Sequence, residues 1–179
     1  MNLLFTFLIN AWLIISPVFL NQSVINHKFT DMTIEYHPIG IFHTELGPQT
    51  GAPRQGILDM ENKGTIEIEE QYTEALSDID KYDYIIVIYH LHLSRDWHSY
   101  VRPPGSERSF GLFATRSPNR PNPIGIAVLR LEKVRGNTLH VRGVDAYDGT
   151  PVLDIKPWLH SIDCHPDAEL NEIESELGL

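Results

Sequence analysis

A mainly β, single-domain barrel with few short helices is the fold class that this 179-residue sequence predicts. Three observations carry that expectation. Segments with strand character far outnumber those with helical spacing. The alternation of strand and helix that builds a parallel sheet is missing. No GxGxxG follows a first strand and no GxxxxGK[ST] occurs, so a doubly wound nucleotide-binding sheet is not indicated.

Residues 34–43 read as the first strand, with Pro38-Ile39-Gly40 marking a bulge or an edge position, since proline cannot donate to a ladder. Residues 47–56 are loop, punctuated by Gly47, Pro48, Gly51, Pro53 and Gly56. Residues 57–60 are short and apolar. Residues 64–68 alternate Thr, Ile, Glu and Ile, the period of a half-buried strand. Residues 69–79 form the best helical segment of the body: Tyr72, Leu76 and Ile79 recur at helical spacing, with Ala75 beside them. The run YIIVIYHLHL over 84–93 is apolar on both faces at first, so it predicts a central strand. It then places His90 and His92 on one face. Two histidines at i, i+2 need further ligands to hold a metal, and no adjacent Cys or carboxylate supplies them; no metal is expected. Residues 95–100 and 103–108 make a long loop, and 110–114 another strand. Residues 124–134 and 138–144 predict a hairpin around Arg135-Gly136-Asn137. Residues 145–150 are a turn, and 152–155 a short strand running into Pro157. The acidic segment after Asp163 is expected to hold a short helix or to stay mobile.

The chain is organised around FGLFATRSPNRPNPIGIAVLR, residues 110–130. Pro118, Pro121 and Pro123 fix φ and push the residues before them to extended conformations. No helix can pass through them. The result is a stiff loop carrying Arg116, Ser117, Asn119, Arg120 and Asn122, joined through Gly125 to the next strand. Stiffness lowers the entropy lost on holding a ligand. Two guanidiniums and two amides suit a carboxylate or a phosphate. A plain arginine-rich surface loop is the duller reading.

Charge is distributed unevenly. The net charge is −10, which by itself argues against a nucleic-acid partner. Yet residues 102–142 hold Arg102, Arg108, Arg116, Arg120, Arg130, Lys133, Arg135 and Arg142 against Glu107 and Glu132 alone. A basic zone on an acidic protein still serves phosphates. The single Cys164 excludes an internal disulfide and fits a reducing compartment.

ATRSPNRPNPIG closely resembles the core motif of the TsaA-like family, which includes the TrmO tRNA methyltransferases. Further pieces match in order: GAPRQG (51–56), HLHL (90–93), VRPPG (101–105) and DAYDGTPVLDIKPW (145–158). The resemblance runs from about residue 34 to about residue 163. It implies an S-adenosylmethionine-dependent methylation of N6 of the threonylcarbamoyl-modified adenosine at tRNA position 37. It also implies a β-barrel that is not a Rossmann sheet, a homodimer, and a cytoplasmic location. By resemblance, the cofactor pocket draws on Pro53, Arg54, Gln55, His92, Leu93, Arg116, Ile126, Asp145, Ala146, Tyr147 and Asp148. Residue types suggest the roles. Arg116 or Arg54 pairs the cofactor's carboxylate, Asp145 or Asp148 accepts from its ammonium or ribose, and Leu93 and Ile126 pack on adenine. The plainer role of both aspartates is to cap their own Asp-Gly turn. His90, His92, Asp145 and Tyr147 are the candidates for removing the acceptor's proton. Arg102, Arg108, Arg120 and Arg130 are the expected tRNA contacts, Arg120 facing outward from the loop. Trp97 or Tyr100 either stacks on a base or packs in the core.

Residues 1–31 are apolar and resemble a signal or a marginal span, without a basic start. We expect Met32 to be the natural start, residues 1–31 to be an upstream extension outside the fold, residues 32–163 to form the methyltransferase domain and 164–179 an acidic tail. A membrane partner is expected only if residues 1–31 are a genuine anchor. Many bacterial relatives carry a further C-terminal domain that this chain lacks. Two other functions therefore stay open: a non-catalytic adenosylmethionine- or RNA-binding module, and a methyltransferase with another acceptor.

Overall fold

In the computed structural model, residues 33–169 are described, together with Glu174 and Glu176. The expected extension 1–31 and the start at Met32 lie outside the described residues. The chain divides into two compact units, Met1–Glu35 and Tyr36–Leu179.

Among the described residues eight strands are present, all in the second unit: β1 Gly40–Thr44, β2 Lys63–Ile68, β3 Tyr84–His90, β4 Tyr100–Val101, β5 Phe110–Gly111, β6 Ile124–Arg135, β7 Thr138–Arg142 and β8 Pro151–Pro157. Six close into a barrel in the order β1-β2-β7-β6-β3-β8, with β8 pairing back onto β1. Every pairing is antiparallel. Strands β4 and β5 form a separate two-stranded ribbon. The barrel interior takes every second residue: Phe42, Ile66, Ile68, Ile85, Val87, Leu129, Leu139, Val141 and Val152 are all essentially inaccessible. Burying each such side chain contributes about 1.5–3 kcal/mol before entropy is counted.

Four elements differ from the sequence reading, each for a local reason. Strand β1 starts at Gly40 rather than residue 34, because its backbone fits tightly between two neighbours. A Cβ on Gly40 would stand 2.3 Å from the Glu67 carbonyl oxygen. The helix expected over 69–79 is a 3-10 turn, Glu70–Leu76, followed by Asp78 at φ 68°. A segment this short does not repay α-helix nucleation. Its Tyr72 and Leu76 nevertheless pack on the core, as does Ile79. Strand β3 stops at His90, opposite Ile124, because Pro121 and Pro123 cannot extend the ladder. The Leu91 N–H donates to the Pro123 carbonyl at 2.7 Å, and His92 N–H turns back to the His90 carbonyl at 2.8 Å. His90 and His92 therefore do not share a strand face. Finally, the strand expected over 110–114 is two residues of β5 followed by the 3-10 turn Leu112–Ala114. After β8 comes a short helix, α1 His160–Asp163, and Glu174 and Glu176 are helical as well.

Candidate active site

The proline-rich loop leaves β5 and re-enters the barrel as β6. It is braced from within. The Thr115 hydroxyl donates to the Leu112 carbonyl at 2.8 Å, and the Ser94 hydroxyl donates to the Pro118 carbonyl at 2.9 Å. Asn119 Oδ1 accepts from the Arg95 N–H at 2.9 Å, tying the loop to the segment after β3. Arg120 does not face outward. Its Nη1 donates to the Thr115 carbonyl at 2.9 Å and to the Ser117 carbonyl at 3.4 Å. Those carbonyls have no ladder partner on a proline-rich segment, and the guanidinium supplies one.

Arg116 points the other way and donates to Gln55 Oε1. Among the described residues this uses one of its five N–H donors, leaving the rest of the fork for an anion. Gln55 is held by its neighbour Gly56. The Gly56 N–H donates to Asp145 Oδ2 at 3.0 Å, and the Gly56 backbone lies so close to Gly143 that a Cβ would meet the Gly143 carbonyl oxygen at 1.8 Å. Asp145 Oδ1 accepts from the Tyr89 hydroxyl at 3.0 Å. The Tyr89 ring stands edge-on to Phe42 at 5.7 Å between centroids, and Gly125 leaves the room for it. A continuous chain thus runs from the barrel core to the loop: Phe42, Tyr89, Asp145, Gly56, Gln55, Arg116.

Burial raises the Tyr89 pKa, and the Asp145 charge and hydrogen bond raise it further. The proton stays on the phenol, which donates. Burial also raises the Asp145 pKa, opposed by the hydrogen bonds from Tyr89 and Gly56 and by the Arg116 charge. Asp145 is a half-buried carboxylate whose two oxygens already accept, which is a positioning role before it is a basic one.

Arg54, Gln55 and Arg116 line one cavity of about 590 Å³. Val101, Pro103, Pro104, Phe113 and Ala114 are among its other walls, as are Arg102 and Glu174. Pro53, the residue before Arg54, is half-buried and is not among the lining residues. The turn after β7 splits its candidates. Asp145 and the buried Ala146 face inward, while Asp148 is exposed and its Oδ1 accepts from the Thr44 N–H at 3.1 Å. Asp148 thus ties its turn to the end of β1. Tyr147 is half-buried, and its carbonyl accepts from Thr150 N–H. His92 Nδ1 lies 3.3 Å from the Thr150 hydroxyl. Leu93 and Ile126 are exposed, Ile126 on the outer face of β6 opposite Ile88. Among the described residues no three His, Cys, Asp or Glu side chains group as metal ligands.

The four arginines expected to meet RNA have different immediate partners. Arg102 donates to the Ser106 and Glu107 carbonyls of its own loop. Arg108 lies 4.2 Å from the Phe110 ring centroid and pairs with Glu176. Arg120 braces the loop. Arg130 is on the outer face of β6, in register with Tyr84 at the end of β3 remote from His90.

Sequence reasoning missed Tyr89, Gly56, Gly125 and Thr115. Tyr89 was within reach: it has the parity of Ile85 and Val87, so its polar tip had to find a partner inside the barrel. Trp97 and Tyr100 are exposed rather than core residues.

The sequence pattern of the tRNA-methyltransferase O N-terminal domain family matches residues 41–164. A probable S-adenosyl-L-methionine-binding protein of Pyrococcus abyssi is 40% identical over 146 residues, covering 82% of this chain and 79% of that protein. A tRNA (adenine(37)-N6)-methyltransferase of Eikenella corrodens is 48% identical over 86 residues, covering 45% of this chain and 49% of that one. The crystal structure of TrmO from Pseudomonas aeruginosa superposes with a TM-score of 0.68 at 32% identity, over 82% of this chain. This chain spans 64% of the length of that solved structure.

Proposed function

Because this chain belongs to the tRNA-methyltransferase O N-terminal domain family, we propose that it is an S-adenosylmethionine-dependent methyltransferase acting on N6 of threonylcarbamoyl-adenosine 37 of tRNA. The observation that supports this best is the cavity in which Arg54, Gln55 and Arg116 meet, anchored through Gly56 to Asp145. The donor set fits the cofactor. Arg116 offers an incompletely used guanidinium to a carboxylate. Asp145, held by two donors and half-buried, offers negative charge to an ammonium or a ribose hydroxyl. Bound there, adenosylmethionine would be held by Arg116 and Asp145 and would supply an electrophilic methyl group.

The protein's part is positioning, which carries much of the rate. Proline stiffness and the Arg120 and Asn119 braces fix the loop that carries Arg116. Of the four residues considered for proton removal, Asp145 already accepts at both oxygens and His92 has the Thr150 hydroxyl 3.3 Å from its Nδ1; none of the four lines the cavity that Arg116 enters. Exposed Ile124, Ile126 and Val128 form a stripe along the outer face of β6, flanked by Ile86 and Ile88 of β3. We assign this stripe to a second copy of the chain, giving a homodimer. Among the described residues no helix is long and apolar enough to cross a membrane, and our reading places the enzyme in the cytoplasm with its tRNA.

A second reading is an adenosylmethionine-binding module without tRNA activity. It is favoured by Arg102, Arg108 and Arg120, whose donors go to carbonyls, a ring and a carboxylate of this chain. Nucleoside mass spectrometry of tRNA from a strain lacking the gene separates the two. Loss of the methylated threonylcarbamoyl-adenosine supports the first reading. Its persistence, with no second gene copy, overturns it.

A further inference from the structure

Phe113 is a large aromatic side chain left 79% exposed in the middle of the best-organised segment of the chain. Its exposure is imposed by the backbone. It is the central residue of the 3-10 turn Leu112–Ala114. Leu112 on one side is 3% exposed and Thr115 on the other is 9% exposed. The Leu112 carbonyl accepts both the Thr115 N–H at 3.1 Å and the Thr115 hydroxyl at 2.8 Å. With Leu112 and Thr115 turned inward, Phe113 and Ala114 stand outward. The guanidinium carbon of Arg120 lies 5.6 Å from the ring centroid, within reach of the attraction between a cation and an aromatic face. The same guanidinium bonds the Thr115 carbonyl, so ring and loop are held by one strut.

Phe113 also walls the cavity that Arg54, Gln55 and Arg116 enter. Val101, Pro103 and Pro104 stand among its other walls. An exposed ring, two apolar prolines and a volume of about 590 Å³ leave room for a planar group beside a cofactor; ligand sites are typically about 300–1,000 Å³. Guanidiniums and the Glu174 carboxylate share its lining. Enzymes that act on a base in RNA take it out of the stack and restack it on aromatic and apolar side chains.

We propose that Phe113 is the stacking platform for the extruded acceptor purine of a single-stranded RNA loop, and that one cavity serves both ligands: its Phe113 and 101–104 walls take the acceptor base, and its Gln55 and Arg116 walls take the cofactor. This rests on the proposed tRNA methyltransferase activity and names the residue that holds the substrate base in it.

The test uses the full chain and an anticodon stem-loop RNA bearing the threonylcarbamoyl-adenosine. The wild type is compared with Phe113→Ala, Phe113→Leu and Phe113→Trp. Stem-loop affinity, adenosylmethionine affinity, single-turnover methyl transfer, melting temperature and solution mass are read for each. Loss of one stacked base corresponds to about a 5- to 150-fold weaker RNA complex. Phe113→Ala is expected to show that loss and a matching loss of kcat/KM. Its melting temperature and mass are expected to stay at wild-type values, and its cofactor affinity to fall by much less than its RNA affinity. Phe113→Trp restores RNA binding, and Phe113→Leu does not, because Leu keeps bulk but loses the flat face. Unchanged RNA binding in Phe113→Ala overturns the proposal, as does full rescue by Leu. A change of solution mass in Phe113→Ala also overturns it, and assigns the ring to a protein contact instead. If the wild type itself transfers no methyl group to the stem-loop, the tRNA reading fails, and the platform falls with it. If the wild type is active and Phe113→Ala equally so, the platform alone fails.

Discussion

Replacing Gly125 by alanine would put a methyl carbon 2.3 Å from Cε2 of Tyr89 and 2.5 Å from its Cζ. Carbon atoms in contact rest at about 3.5–4.0 Å, so the ring or β6 must yield by roughly 1 Å. The ring is buried against Phe42 and its hydroxyl is bonded to Asp145, so it has no solvent to swing into. Overpacking of this kind costs about 1–3 kcal/mol. A displaced hydroxyl forfeits about 0.5–1.5 kcal/mol more. Together these give roughly 2–4 kcal/mol, which at about 2–4 °C per kcal/mol lowers the melting temperature by ~5–15 °C. The sign is informative in itself. At an unobstructed strand position, Gly→Ala stabilises by about 0.5–1 kcal/mol. The assay is calorimetric melting of Gly125→Ala alone and in a Tyr89→Leu background, with adenosylmethionine affinity measured beside it. With the ring removed, the alanine is expected to cost less than about 1 kcal/mol, a coupling proper to neighbours. Cofactor affinity should fall in Gly125→Ala, because Asp145 and Gly56 carry the displacement to Gln55. A melting temperature at or above that of the wild type, or the same cost in both backgrounds, would refute the connected chain from Tyr89 to Arg116.

Other expectations rest on single contacts. Arg116→Ala should weaken adenosylmethionine binding about 10- to 100-fold in calorimetry, one charge-assisted contact being about 1.5–3 kcal/mol; unchanged affinity removes Arg116 from the site. Arg120→Ala should lower melting temperature, cofactor affinity and RNA affinity together, since its Nη1 braces the Thr115 and Ser117 carbonyls; loss of RNA binding alone would return Arg120 to the phosphate role. The hydrogen bond from Arg142 holds the Glu132 carboxyl below its ordinary value. A depressed acid contributes stability that is complete above its unfolded pKa and is lost as pH falls through the folded one. The melting-temperature gap between wild type and Glu132→Gln should therefore be constant near neutrality and close below about pH 4.5. A gap that widens on acidification contradicts the pairing.

Much of this molecule was legible in the sequence because its information is local. Alternation marked β2, the hairpin of β6 and β7 was announced by Arg135-Gly136-Asn137, and the prolines of residues 118–123 marked a loop that no helix could cross. What was hidden depended on chain segments far apart. Tyr89 meets Asp145 across 56 residues, and Gly56 meets it across 89. No window of sequence holds both ends of such bonds. The surroundings of the arginines were hidden in the same way: chain order does not tell that Arg102 and Arg120 bond carbonyls of their own loops or that Arg130 lies on the outer face of β6. Asp145 and Asp148 looked equivalent as residue types, yet one turn sends them in different directions.

Whether this barrel moves a methyl group from adenosylmethionine to adenosine 37 of tRNA can be read from a single reaction. The purified full chain is incubated with adenosylmethionine and tRNA carrying threonylcarbamoyl-adenosine, and the tRNA is then digested and its nucleosides weighed. The threonylcarbamoyl-adenosine is expected to become one methyl group heavier, with the added mass on N6, and Arg116→Ala is expected to slow the conversion. Unmodified nucleosides, from a preparation that calorimetry shows to bind adenosylmethionine, would contradict the methyltransferase assignment.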